Sequence, residues 1–406
     1  GLGGEEALML ALATEEVFMH LCRVAKPAGG PLEILCSSGG CYAQVAFSLP
    51  DDAFDMRAFN LTATVSVEDD ADLDAMGLVI ASRSVDRLSL SRHGSHGLRL
   101  ELIKEKSYPP VPETPLPAVP AVTKYSLRPP DPEEWKFISH LCQSHYKSWE
   151  LPRVLRHPGR LADVMSTGGY GALAAVGDAG EIAGAVFWHA LGEKVVECLG
   201  PYVFNQAPDS TIPEALLEGC IGAVARTPAV GMISTRPTAR FPRGHFEFLG
   251  TVDTFTPDGS GVPIEAWFRL LDEDTGATSW TPPELEAFLR REYSRLVLPR
   301  ELRVDRPSGE SLRGHSVLSA ELDAPRRSVT LRPLWPGADA QENIARHVRL
   351  LRDENILDMH FEVDLGQAWQ GIFVPGLFSA GFEPRLLLPH AGRGDVVLFQ
   401  LRGKNG

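Results

Sequence analysis

Val195-Val196-Glu197-Cys198-Leu199-Gly200-Pro201-Tyr202-Val203-Phe204 reads as a long strand. It feeds through the loop Asn205-Gln206-Ala207-Pro208-Asp209-Ser210-Thr211-Ile212-Pro213 into a helical pattern from Pro213 to Arg226. A loop entering a helix can bind an anion through free backbone N–H groups and the helix dipole. This one holds no glycine, Pro208 and Pro213 donate no N–H, and Asp209 adds negative charge. Thr211-x-x-Glu214 predicts a capping box, in which the helix satisfies its own free donors. Ser210 and Thr211 are then the side chains placed to touch a cofactor. Glu197 is a candidate general base, with Tyr170 or Tyr202 as the acid.

Working outward, Trp135 to Tyr146 reads as a helix. Ala172 to Val176 and Ile182 to Trp188 read as strands about the turn Gly177-Asp178-Ala179-Gly180, and Met232 to Thr235 as a strand. From Tyr293 the pattern repeats in outline: strand at Val329 to Leu334, helix at Ala340 to Asp353, strand at Ile356 to Asp364. A hairpin follows from Arg385 to Leu388 and Val396 to Leu401. Phe248-Leu249-Gly250 and Phe378-Ser379-Ala380-Gly381-Phe382 stand at equivalent corners, which hints at an internal duplication. Upstream, the proline-dense stretch from Ser107 to Val122 favours polyproline II and predicts a semi-rigid spacer. Before it come a helix from Glu5 to Val24, a hairpin at Leu32 to Leu49, an irregular acidic segment through Asp74, a helix from Met76 and a closing hairpin. The expected division is 1–106, a linker at 107–122, then 123–295 and 296–406.

The chain of 406 residues is long enough for two or three cores. Its formal net charge of −14 disfavours direct nucleic-acid binding. No apolar run is long enough to span a bilayer, and the N-terminal residues do not resemble a secretory signal, so a cytoplasmic protein is expected. The six cysteines show no zinc spacing and are expected as buried thiols.

The strand, loop and helix about Glu197, with the hairpin before them, resemble a GNAT acetyltransferase. Active members bind the CoA pyrophosphate on a glycine-rich loop, which here is Asn205 to Pro213. Residues 5 to 106 resemble the anti-sigma-factor branch of the GHKL ATPases. That resemblance rests on Glu15-Glu16-x-x-x-His20, on Phe54-Asp55, and on Met76-Gly77-Leu78 opening a helix. It implies Glu16 as catalytic base, His20 at the metal position, and Asp55 and Gly77 in the nucleotide pocket. The whole chain resembles a bacterial fusion of the two, through Gly381-Phe382, Leu388-Pro389, Gly394-Asp395 and Leu398-Phe399-Gln400.

The fold class expected is α+β: a GHKL-type α/β sandwich followed by tandem GNAT-like α/β domains. ATP with magnesium and acetyl-CoA are the cofactors these folds imply, and both phosphate-binding sites are eroded. The expectation is therefore a regulatory, non-catalytic platform whose partner is a protein such as a sigma factor or anti-sigma antagonist. The alternatives are an acyl-CoA-dependent N-acyltransferase with an atypical CoA loop, or a serine kinase of the anti-sigma type.

Overall fold

A computed structural model describes residues 1–24, 32–50, 56–64, 70–93, 97–109, 116, 119–147, 150–256, 260–304, 312 and 314–402. Helix α1 (Gly4–Val24) forms because Leu10, Ala13, Val17 and Leu21 recur at helical spacing and share a buried face. Strands β1 (Glu33–Ser38) and β2 (Tyr42–Pro50) follow, then α2 (Asp70–Ser84), β3 (Arg87–His93) and β4 (Gly97–Glu105). The four strands are antiparallel in the order β1-β2-β4-β3. Leu78 of α2 and Val17 of α1 pack with Phe47, Leu98, Leu100 and Leu102 of the sheet. α2 begins at Asp70, not Met76.

The core of this unit reaches beyond the linker, because Val317 and Trp335 belong to it. Buried Asn60 donates to the Ser316 carbonyl at 2.8 Å and accepts from Leu318 N–H at 3.0 Å and from the Asn343 amide at 3.1 Å.

After the linker come β5 (Tyr125–Arg128), α3 (Pro132–His145), α4 (Pro158–Ser166), β6 (Tyr170–Gly177), β7 (Ile182–Ala190), β8 (Val195–Val203), α5 (Ile212–Val224), β9 (Gly231–Ser234), β10 (Glu247–Phe255) and β11 (Gly261–Leu270). They build one sheet in the order β10-β11-β9-β8-β7-β6-β5. Every neighbouring pair is antiparallel except β8 and β9. That parallel pairing runs only from Val195↔Gly231 to Glu197↔Ile233, and β8 then continues to Val203 without β9 beside it. The result is a fork. One face of the sheet is covered by α3 and α4 through Ile138, Leu141 and Leu161 against Phe187, Leu199 and Phe204. The other is covered by α5 through Leu216, Cys220 and Val224 against Val186, Cys198 and Met232.

A short connector follows: β12 (Ala277–Thr281), α6 (Glu286–Leu296) and β13 (Arg300–Val304), with β12 and β13 parallel. The last unit comprises β14 (Val317–Asp323), β15 (Ser328–Trp335), α7 (Ala340–Asp353), β16 (Asp358–Asp364), α8 (Val374–Ala380), β17 (Phe382–Leu388) and β18 (Val396–Leu401). Its order is β14-β15-β16-β18-β17, with only β15 and β16 parallel. This repeats β7-β8-β9-β11-β10 strand for strand, so the suggested duplication is a repeat of five strands and one crossover helix. Both edge strands carry a bulge, at Phe248/Gly250 in β10 and at Pro384/Leu386 in β17.

Those edges face each other. Gly250 has φ +142, and a Cβ there would sit 2.9 Å from the Arg385 carbonyl. Only glycine allows both the conformation and the approach. Arg156 also binds Asp323 with two hydrogen bonds, at 2.6 and 2.8 Å, tying the segment before α4 to the last unit. No described helix is long and apolar enough to cross a membrane.

Candidate functional site

Register places Tyr170, His189 and Glu197 side by side, because Tyr170 pairs with His189 and His189 with Glu197. They form a row across β6, β7 and β8 that ends where β9 leaves. Glu197 is the last β8 residue paired to β9, and Thr235, just past β9, donates its hydroxyl to Glu197 Oε1. His189 Nε2 lies 3.1 Å from Glu197 Oε2, and its Nδ1 lies 3.0 Å from the Ala190 carbonyl. A carbonyl has no proton to give, so Nδ1 carries one, and Nε2 is left to take up a further proton, which Glu197 then shares. The Tyr170 ring packs against the imidazole at a tilt of 33°, with ring centroids 4.6 Å apart. Glu197 is 15% exposed and His189 20%, so both can be reached by a small molecule.

Burial alone would raise the Glu197 carboxyl, but the hydrogen bond and charge of His189, with Thr235, hold it below the usual range. Burial likewise pushes His189 down, and Glu197 outweighs it, leaving the imidazole above its ordinary value. Burial and the Glu197 charge push the Tyr170 phenol up to about 12, so it keeps its proton at neutral pH. Tyr202, the other candidate acid, is ruled out by position. It is buried edge-on against Tyr146 in the α3 core, and burial drives its phenol far up.

The expected capping box at Thr211-x-x-Glu214 is not formed. Thr211 is the N-cap of α5, but its ψ of 0 departs from the extended cap conformation, and its hydroxyl bonds the Tyr125 hydroxyl at 2.9 Å. Ser210 Oγ accepts weakly from Ile212 N–H at 3.4 Å. A full box occurs instead at α3, where Asp131 accepts from Glu133 and Glu134 N–H and Glu134 reaches back to Asp131 N–H. The signal Asp131-Pro132-Glu133-Glu134 was available in the sequence.

The loop before α5 is organised by a cation. Arg240 donates to the carbonyls of Gln206, Ala207 and Pro208, at 3.3, 2.5 and 3.0 Å. Asn205 and Gln206 are held by the end of the linker, through the Val119 and Pro120 carbonyls and Val122 N–H. Tested against an acyl-coenzyme, this end of the sheet offers two matching features. Ser234 Oγ, on the α5 face at the fork, is fully buried without a hydrogen-bond partner among the described residues. Arg240 supplies positive charge where glycine amides are missing, and its hydrogen bonds go to carbonyls rather than carboxylates.

In the N-terminal unit, Glu16 and Gly77 are brought together by packing. A Cβ on Gly77 would lie 2.5 Å from Glu16 Oε2, so the carboxylate fills the space beside the glycine. His20 is buried on the same helix, and Asp55 lies outside the described residues. Among the described residues no three His, Cys, Asp or Glu side chains gather to hold a metal. A cleft of about 510 Å³ between this unit and α4 is lined by Glu5, Glu6, Lys106, Arg153 and Arg160. Several of its charges already neutralise others: Arg153 and Arg160 bind Glu105, and Lys106 binds Asp163.

No protein-family model matches the chain, and no curated protein matches it. Solved structures do. A GNAT-superfamily phosphinothricin acetyltransferase from Sinorhizobium meliloti, in complex with AcCoA, is 20% identical with a TM-score of 0.31, over 37% of this chain and 90% of that one. An acetyltransferase from Salmonella typhimurium with acetyl-CoA is 18% identical with a TM-score of 0.32, over 37% of this chain and 96% of that one. A GNAT-family N-acetyltransferase from Escherichia coli in complex with CoA is 16% identical with a TM-score of 0.28, over 38% and 85%. The neighbours named in this comparison are acetyltransferases, and no ATPase is among them. The expectation of a non-catalytic platform runs against this finding, in which the neighbours are named as acetyltransferases. The ATPase half of the expected fold class has no counterpart among them.

Proposed function

We propose that the unit formed by β5 to β11 is a GNAT-like acyltransferase that moves an acyl group from an acyl-coenzyme to an amine. The observation that carries this reading is the Tyr170–His189–Glu197 row, reachable by solvent and placed where β8 and β9 part. Ser234 and Arg240 would hold the acyl-coenzyme, which supplies an activated thioester when bound. The His189–Glu197 pair takes the proton that the attacking amine must lose. Thr235 and the Ala190 carbonyl fix both members, so their geometry is set before the amine arrives. Tyr170 keeps its phenolic proton and can deliver it to the departing thiolate.

The test is release of free thiol from acetyl-CoA by the purified chain against a panel of small amines. Turnover that falls by about 100-fold or more in Glu197→Gln, with circular dichroism unchanged, supports the reading. No thiol release with any amine, or equal release by the variant, overturns it.

A further inference from the structure

Arg236 follows Thr235 immediately, one residue beyond the side chain that binds Glu197. It is half-buried, yet among the described residues it makes no hydrogen bond and no ion pair. A partly desolvated guanidinium with five donors and no acceptor is costly, and such groups are normally matched to a carboxylate or phosphate. Its charge is felt on two walls, by Glu197 of β8 and by Asp358 and His360 of β16. None of these acids is available to it. Glu197 is held by His189 and Thr235, and Asp358 accepts from Gln400 at 2.8 Å. The nearby Asp253 carboxylate is taken by Arg385.

We propose that Arg236 anchors a carboxylate carried by the acceptor amine, so that the substrate is an amino acid or another carboxylated amine rather than a plain one. This rests on the acyl-transfer reading for the identity of the amine. It places the anion near Glu197. A single guanidinium set among acidic walls suits one negative charge. A phosphate dianion would call for a second cation, and Arg385 is already paired.

The experiment compares free acids with their methyl esters. Glycine, β-alanine, 4-aminobutyrate and glutamate, and the ester of each, are titrated calorimetrically into wild type, Arg236→Gln and Arg236→Lys. Acetyl-CoA is titrated as a reference, and circular dichroism is recorded for every protein. The expected result is that at least one free acid binds wild type about 10- to 100-fold more tightly than its ester. Arg236→Gln should abolish that preference, Arg236→Lys should keep part of it, and acetyl-CoA affinity should not move. Equal binding of acid and ester to wild type overturns the proposal without any variant. So does an Arg236→Gln effect confined to acetyl-CoA. Acid-selective binding without thiol release leaves the Arg236 site standing and defeats the acyl-transfer reading. Thiol release with esters as good as acids does the reverse.

Discussion

The two forks of this molecule share a topology and differ in their chemistry. At the first, β8 and β9 part at a carboxylate–imidazole pair that solvent can reach. At the second, β15 and β16 pair from Ser328↔Asp358 to Leu331↔Phe361, and Arg332 and Glu362 then bridge the opening with Nε–Oε2 at 2.5 Å. The helix after each fork also starts differently. The loop into α5 carries Arg240 across its carbonyls. The loop into α7 carries Asp339, whose carboxylate accepts from Ser316 N–H at 2.6 Å, Ser316 Oγ at 2.8 Å and Arg346 at 2.7 Å. Gly337 lies so close to Ser316 N that a Cβ there would be 2.1 Å away. The second helix end is closed by its own chain, and the face of β16 has become an interface. A repeat of the same five strands can therefore leave one fork open to solvent and close the other by packing.

The strongest way to break this contrast is to remove charge from each fork in turn. Glu197→Gln should lower acyl transfer by about 100- to 10,000-fold, whereas Glu362→Gln should leave turnover within about twofold, both read as thiol release. Equal losses would mean that the forks are not distinct in function.

Acidity sharpens the comparison next. Because the His189 imidazole lies above its ordinary value of about 6.5, turnover should fall about tenfold per pH unit below that raised value. The same shift gives His189 a stabilising contribution that is fully present below about pH 6.5 and lost as pH rises through its folded value. Glu197, held low, contributes above about pH 4.3 and loses that contribution as pH falls through its own folded value. His189→Gln should thus lower the melting temperature more at pH 6 than at pH 9. A uniform loss would argue against the shared proton.

The buried acid of the second unit should respond oppositely. Burial, opposed by Gln400, pushes Asp358 up to about 7, and burial brings His360 down to about 4, so the pair sits neutral. The unfolded chain ionises this carboxyl from about pH 4 and the fold only near pH 7, so Asp358→Asn should stabilise the protein most at pH 8, less at pH 5 and little below about pH 4. The gain is on the order of 1–4 kcal/mol by linkage, measured by denaturant unfolding. The smallest effect is expected at Thr211→Ala. Lacking a cap bond, it should cost under about 0.5 kcal/mol, where a true N-cap loses about 1.

How much of this was legible varies with the physics involved. Strand β8, helix α7 and the hairpin of β17 and β18 were readable because apolar periodicity and turn residues mark them locally. The duplication could be suspected from two glycine corners, but β10, β11 and β14 supply most of it, and their pairing depends on partners distant in sequence. Glu197 was readable as a carboxylate in a strand. His189 was not, because only antiparallel register sets it opposite Glu197, eight positions away. Thr211 misled for a related reason: the motif Thr-x-x-Glu was present, but a tertiary bond to Tyr125 took its hydroxyl. Arg240 and Arg236 carry no motif, and their meaning comes from what surrounds them.

Gln400 closes with a consequence of its own. Its amide accepts from Asp253 N–H at 3.0 Å and donates to the Asp253 carbonyl at 2.6 Å. A side chain thus imitates one residue of a neighbouring strand and blunts the outer edge of β10. A fragment cut before the last unit would bare that edge, and an open edge invites pairing with another copy. The C-terminal unit, whatever else it does, therefore serves as a built-in guard against self-association of the seven-stranded sheet.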